Sequence, residues 1–165
     1  FVQLLLFYVS YPKNLILLLK EFENSPVKFD WVPDAYPIIW QKYMANVAIN
    51  LVGAYSGKVL WDILTDKNLK KRVITILEET AQVITKKGVP LPQNVTETVL
   101  SAISKSPYET KSSYAVDIES HSPKNEGEIF GTAIIELAKQ VVVPIPTIES
   151  TFTHIQMKIN NWKYV

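Results

Sequence analysis

The chain has 165 residues, a formal net charge of +1, no cysteine and two histidines. This length suffices for one domain with a sizeable hydrophobic core. The balanced charge gives no electrostatic argument for nucleic acid or a membrane as partner. The lack of cysteine excludes disulfides and thiol catalysis and fits a reducing, cytoplasmic compartment. His121 and His154 lie far apart without a ligand pattern, so we expect no structural zinc site.

The first 33 residues predict a strand, a helix and a second strand. The apolar run Phe1–Val9 is too short to span a membrane and lacks the features of a signal peptide. It predicts a buried strand, followed by a helix over Ser10–Asn24 and a strand over Val27–Val32. This order resembles the tail of an α/β domain, so we divide the chain into residues 1–33 and 34–165. Because the chain begins with Phe1 rather than Met, we expect it to be a piece of a longer protein.

The next predicted element is a helix from Ala35 or Pro37 to Tyr55, apolar on nearly all sides. Lys42, Asn46 and Asn50 recur at every fourth residue and would form one polar stripe about 12 Å long at about 1.5 Å per residue. Polar groups in such a helix need partners. They belong either to an internal hydrogen-bond network or to a pocket in which lysine donates a proton and the asparagines orient a small polar substrate.

The remaining elements are also predicted to be helical, each bounded by capping or breaking residues. They are Val59–Leu64, Asn68–Lys87 with Asp66 as N-cap and Gly88 as C-cap, Thr96–Ser104, a short helix from Ser112 or Ser113 to Ser120, Glu126–Val142, and Ile148–Lys163. There is no Gly-x-Gly-x-x-Gly sequence, so the chain carries no recognisable dinucleotide-binding turn of its own. The predicted fold is therefore mostly α.

Several short motifs resemble one family in order and spacing. The pattern Trp40, Lys42, Asn46, Asn50 resembles the start of the C-terminal domain of ketopantoate reductases (2-dehydropantoate 2-reductases). Further matches to the family follow in the same order: Lys86–Pro92, Ser112–Asp117, Gly131 and Val143–Pro146. The resemblance spans roughly Pro26 to Lys158.

The resemblance implies a fold and an activity. The fold would be the helical C-terminal domain of the ketopantoate-reductase and 6-phosphogluconate-dehydrogenase-like type, with residues 1–33 as the remnant of a preceding Rossmann domain. The intact enzyme would reduce ketopantoate to pantoate in pantothenate biosynthesis, with NADPH bound mainly by the Rossmann domain. The present chain alone would then be inactive.

The resemblance also implies roles for individual residues. Lys42 would be the proton donor, Asn46 and Asn50 would bind substrate oxygens, and Ser113 would bind the carboxylate end unless it only caps a helix. The family's glutamate falls on Asn125 when counted without gaps, with Glu126 next to it. We therefore predict Glu126 as catalytic and Asn125 as substrate-binding, and leave open which of the two fills the glutamate position.

The sequence leaves two other functions open. Asn125 and Val116 depart from the family pattern and favour a reductase of another 2-keto acid. Alternatively, the chain is a non-catalytic helical dimerisation or binding module, in which the stripe forms a sealed network. Solvent access distinguishes them, because a reductase predicts the stripe open to a cleft shared with Ser113.

We expect a small 2-keto acid as partner, no nucleic acid and no membrane, and a homodimer if the apolar stretch Phe1–Leu19 is exposed. The sequence determines neither the exact substrate nor the choice between NADPH and NADH.

Overall fold

The computed structural model describes residues 34–162, together with residues 20, 21 and 32. Internal contacts divide the chain into two compact units, Phe1–Ile39 and Trp40–Val165. The predicted strands Phe1–Val9 and Val27–Val32 lie outside the described residues, apart from Val32, which has no regular secondary structure. Of the helix predicted over Ser10–Asn24, only residues 20 and 21 are described, and both are helical.

Every regular element in residues 34–162 is helical, which confirms the prediction of a mostly α fold. The helices are α1 (Tyr36–Ser56), α2 (Leu60–Thr65), α3 (Lys67–Lys86), α4 (Val95–Ile103), α5 (Ser113–Glu119), a π-helical turn (Glu128–Thr132), α6 (Ala133–Val141) and α7 (Pro146–Asn161). The predicted boundaries of the first five helices agree with these to within one or two residues. Capping and breaking residues act on their neighbours along the chain, so the sequence alone predicts where these helices begin and end.

The hydrophobic core is built around α1 and α3. Helix α1 buries apolar side chains between Met44 and Ala54, as its apolar composition predicts. Helix α3 contacts α2, α4, α6 and α7. The largest fully buried apolar side chains include Met44 and Leu51 of α1, Ile76 and Leu77 of α3, Ile134 of α6, and Ile148 and Ile155 of α7. One continuous cluster therefore joins the helices.

The predicted N-cap Asp66 of α3 is confirmed, whereas the C-cap is Lys87 and the predicted Gly88 is the next residue, which ends the helix. The Asp66 carboxylate accepts hydrogen bonds from the backbone N–H groups of Asn68 and Leu69 at 2.9 and 3.1 Å. At the other end Gly88 has a φ of +94°, in the region that favours glycine. The N–H of Val89 then reaches back to the Ile84 carbonyl at 3.2 Å, which satisfies a free carbonyl of the last turn.

Helix α7 begins at Pro146, two residues before the predicted start at Ile148. Proline suits the first helical position, because its fixed φ is helical and its missing N–H has no partner there in any case. The first turn receives no cap from its own N-cap residue. Instead, the buried carboxylate of Glu79 on α3 accepts from the N–H groups of Thr147 and Ile148, both at 2.9 Å. A long-range contact therefore fixes the start of this helix.

The helix predicted over Glu126–Val142 is present, but its first part is the π-helical turn and only the rest is α-helix. The turn contains Gly131, where an added Cβ would lie 2.2 Å from Cε2 of Phe152 on α7. The aromatic ring thus packs directly against the backbone of the turn. Helix α6 ends at Val141, and the C-cap residue Val142 has a positive φ of 57°. Hydrophobic periodicity predicts neither the π-helical turn nor the positive φ of Val142.

Candidate active site

Lys42, Asn46 and Asn50 all lie on α1, so the predicted stripe is present. Burial increases along it: Lys42 is exposed, Asn46 is half-buried and Asn50 is only 6% exposed. Within the described residues the Lys42 ammonium forms no ion pair with a carboxylate. The stripe is therefore open at its Lys42 end and closed at its Asn50 end.

The Asn50 amide is held on both sides. Its Nδ2 donates to the Asn46 backbone carbonyl at 3.0 Å, and its Oδ1 accepts from the Tyr114 backbone N–H at 3.1 Å. These backbone partners fix which end of the amide faces α5, because a flipped amide would oppose donor to donor. The same Oδ1 lies 3.3 Å from the Ser113 hydroxyl oxygen. Asn50 thus connects α1 to the first turn of α5.

The first turn of α5 is brought close to α1 by a small residue. Ser112 is the N-cap, and its hydroxyl accepts from the Ala115 N–H at 3.3 Å. A Cβ at Gly53 would lie only 2.2 Å from the Ser112 Oγ, so the approach of the two segments requires glycine there. Because Ser112 provides the cap, the Ser113 side chain is free for another contact, and it is exposed. The alternative that Ser113 only caps the helix does not hold.

The structure distinguishes the two candidates in the following turn. The Asn125 Oδ1 accepts from the Gly127 N–H at 3.1 Å, so its side chain closes the turn that it begins. The Ser113 hydroxyl instead makes a short hydrogen bond to the Glu126 carboxylate. A serine hydroxyl has one proton and here faces two acceptors, Glu126 and Asn50. Geometry therefore brings Asn50, Ser113 and Glu126 together, with Asn125 acting locally.

Two tyrosines beside this cluster were not predicted as site residues. The Tyr43 hydroxyl on α1 donates to the Ile129 carbonyl of the π-helical turn at 3.0 Å, and burial raises the pKa of Tyr43 to about 12. Tyr114 on α5 is fully buried, and burial raises its pKa to about 12 as well. Each lies one residue after a candidate in the sequence, Lys42 or Ser113.

Other kinds of site find no support in the described part of the chain. No group of histidine, aspartate and glutamate side chains there is arranged to hold a metal ion. Likewise, none of the helices in this part is long and apolar enough to cross a membrane. The chemistry available at the cluster is that of a lysine ammonium, amides, a hydroxyl and a carboxylate. These groups donate and accept hydrogen bonds and transfer protons.

Comparison with known proteins shows the family of the chain. Residues 34–159 match the family described as the C-terminal domain of ketopantoate reductase (PanE/ApbA). The chain therefore belongs to this family of oxidoreductases, and the resemblance found in the sequence is confirmed.

Three similar proteins illustrate the match. An uncharacterised oxidoreductase of Bacillus subtilis, YkpB, is 27% identical over 119 residues, covering 72% of this chain and 39% of the relative. The structure of 2-dehydropantoate 2-reductase from Methylococcus capsulatus is 26% identical with a TM-score of 0.73, covering 92% of this chain and 47% of that chain. A ternary structure of D-mandelate dehydrogenase with NADH and anilino(oxo)acetate has a TM-score of 0.73 at 17% identity, covering 89% and 61%. At that identity the last shows the fold alone. The present chain thus spans about two fifths to three fifths of these relatives.

Proposed function

We propose that this chain is the helical substrate-binding half of an NADPH-dependent 2-dehydropantoate 2-reductase, which reduces ketopantoate to pantoate. The observation that carries the proposal is the cluster of Asn50, Ser113 and Glu126 at the closed end of the stripe. At the open end Lys42 is exposed and unpaired with any carboxylate of the described residues. A polar substrate placed along α1 would meet an ammonium, amides, a hydroxyl and a carboxylate in turn.

Reducing a 2-oxo acid requires a hydride at the carbonyl carbon and a proton at the carbonyl oxygen. A nicotinamide cofactor supplies the hydride when bound, and we assign its binding to a preceding nucleotide-binding domain. Lys42 donates the proton through its Nζ, and its positive charge stabilises the negative charge that develops on the oxygen. Exposure leaves this ammonium accessible to a substrate.

We assign the remaining side chains to substrate binding. Asn46 is half-buried, and we assign its side-chain amide to a substrate oxygen. Asn50 uses one amide hydrogen on the Asn46 carbonyl and keeps the other for the substrate. Ser113 binds the substrate carboxylate and Glu126 accepts from the substrate hydroxyl. Because the Ser113 proton points to Glu126 in the free chain, substrate binding exchanges this internal hydrogen bond for two bonds to the ligand.

The test of Lys42 uses the full-length protein that contains this chain. NADPH oxidation is followed with ketopantoate for the wild type, Lys42→Ala and the control Lys70→Ala, which removes an exposed lysine on α3. Loss of a general acid lowers kcat by about 10²–10⁴-fold. We expect that loss for Lys42→Ala and none for Lys70→Ala, with circular dichroism unchanged in both. Near-normal turnover by Lys42→Ala would exclude the proton-donor role.

A second comparison tests which residue fills the glutamate position. Glu126→Gln should lower kcat at least tenfold. Glu128→Gln, which changes an exposed glutamate two residues away, should not lower kcat. Asn125→Ala should chiefly lower stability, since Asn125 closes the turn. A larger kinetic effect of Asn125→Ala than of Glu126→Gln would reverse the two assignments.

A reductase of a different 2-oxo acid is the second candidate. D-mandelate dehydrogenase, whose structure contains NADH and an oxo-acid ligand, shares this fold, and Val116, which departs from the family pattern, is exposed on α5. Turnover of an aryl 2-oxo acid with NADH, together with no turnover of ketopantoate, would favour this candidate. No turnover across a panel of 2-oxo acids by folded protein would favour the binding-module alternative, in which the buried Asn50 belongs to an internal hydrogen-bond network. For either enzyme we expect a homodimer, which sedimentation would measure. We also expect the enzyme to be cytoplasmic.

A further inference from the structure

The turn that carries Glu126 is contacted by tyrosines from two helices. Tyr43 of α1 holds the segment after the turn through the hydrogen bond from its hydroxyl to the Ile129 carbonyl. Tyr114 of α5 reaches the turn itself, at Gly127. The neighbouring Ser113 contacts the Glu126 side chain. Ser113 and Tyr114 therefore contact the Glu126 side chain and the Gly127 backbone, respectively. The first turn of α5 therefore contacts this loop at two points.

The Tyr114 hydroxyl has no evident role in stability. Its oxygen is buried and makes no hydrogen bond within the described residues. Gln156 is a polar neighbour that opposes the rise of the Tyr114 pKa, but it does not reach hydrogen-bonding geometry. A buried hydroxyl without a partner destabilises a fold. Phenylalanine would fill the same space without that penalty.

The contact of this hydroxyl with the turn is steric. A Cβ added to Gly127 would lie 2.6 Å from the Tyr114 hydroxyl oxygen and 2.9 Å from the Asn125 Oδ1. Such distances are shorter than van der Waals contact, so the hydroxyl lies directly against the Gly127 backbone. The Gly127 N–H is fixed in turn by its hydrogen bond to Asn125. The backbone after Glu126 is thus held between the phenol and the Asn125 amide.

We propose that the Tyr114 hydroxyl is a steric stop that sets the position of the Asn125–Gly127 turn and thereby holds the Glu126 carboxylate at Ser113. Tyr114 is a positioning residue, and it acts through Glu126 rather than on the substrate. The kinetic consequence of this role rests on the proposed function, whereas the steric coupling to Gly127 does not.

The steric coupling is tested by thermal unfolding of Tyr114→Phe, Gly127→Ala and the double variant. Tyr114→Phe should leave Tm unchanged or raise it, whereas the matched control Tyr43→Phe, which loses a hydrogen bond, should lower it by about 2–4 °C. Gly127→Ala should lower Tm, and the loss should be clearly smaller in the Tyr114→Phe background. Equal losses in both backgrounds, or a lower Tm for Tyr114→Phe alone, would overturn the steric-stop proposal.

The positioning role is tested by kinetics in the full-length protein with whichever 2-oxo acid turns over. Tyr114→Phe should lower kcat/KM several-fold in the wild type but have little effect in the Glu126→Gln background, because the residue it positions is already altered. Equal losses in both backgrounds would overturn action through Glu126. If no 2-oxo acid turns over, the proposed function fails, and the thermal cycle still decides the steric role by itself.

Discussion

Glu79 gives the clearest stability prediction, because a single side chain caps a helix distant in sequence. Glu79 is 7% exposed, and its carboxylate accepts hydrogen bonds from the backbone N–H groups of Thr147 and Ile148 in the first turn of α7. A negative charge at a helix N-terminus is also favourable to the helix dipole. The variant Glu79→Gln keeps the shape of the side chain but replaces one acceptor oxygen by an NH₂ group.

The magnitude follows from the number of hydrogen bonds lost. A hydrogen bond to a charged group contributes about 1.5–3 kcal/mol, and a buried N–H left unpaired adds to the loss. Glu79→Gln loses one of two bonds and the charge, so we expect a decrease of about 2 kcal/mol in the free energy of unfolding. For a chain of this size that corresponds to a Tm lower by about 4–8 °C. Glu79→Ala, which removes both acceptors, should lose more.

Urea and thermal unfolding followed by circular dichroism would measure these differences. The matched control is Glu78→Gln, which makes the same chemical change at the preceding residue, where the side chain is exposed. We expect Glu78→Gln to be the most stable of the three variants, Glu79→Gln less stable and Glu79→Ala the least stable, with the urea m-value unchanged. Equal Tm values for Glu78→Gln and Glu79→Gln would refute the capping role of Glu79.

Three further predictions concern the ends and turns of helices. Val142→Gly should raise stability by about 1 kcal/mol, because Val142 is 86% exposed and has a positive φ of 57° that disfavours a branched side chain; a lower Tm would contradict this. Gly131→Ala should lower stability by about 1–3 kcal/mol, since its Cβ would overlap the aromatic ring packed against it from α7; a Tm equal to that of the wild type would show that the ring moves aside without cost. The pKa of Asp66 is lowered from 3.8 by the backbone N–H groups of Leu69 and Asn68. Its folded pKa therefore lies below its unfolded value, so its stabilising effect is present above pH 3.8 and is lost as the pH falls through the folded pKa. Acid titration of unfolding should show a smaller loss of stability in Asp66→Asn than in the wild type.

The sequence by itself determined the features that depend on neighbours along the chain. Helical periodicity and capping chemistry predicted the helices from α1 to α5, the N-cap Asp66, the helix-ending Gly88, and the polar stripe of Lys42, Asn46 and Asn50. Order and spacing of short motifs were also sufficient to indicate the family, which the match over residues 34–159 confirms.

Only the tertiary structure decided which side chains meet. Counting along the sequence could not choose between Asn125 and Glu126, because one residue of register in a turn changes which side chain faces α5. The structure directs Glu126 to Ser113 and uses Asn125 to close the turn. The capping of α7 by Glu79 also depends on residues distant in sequence. Such contacts arise from the packing of whole helices, and no local pattern in the sequence encodes them.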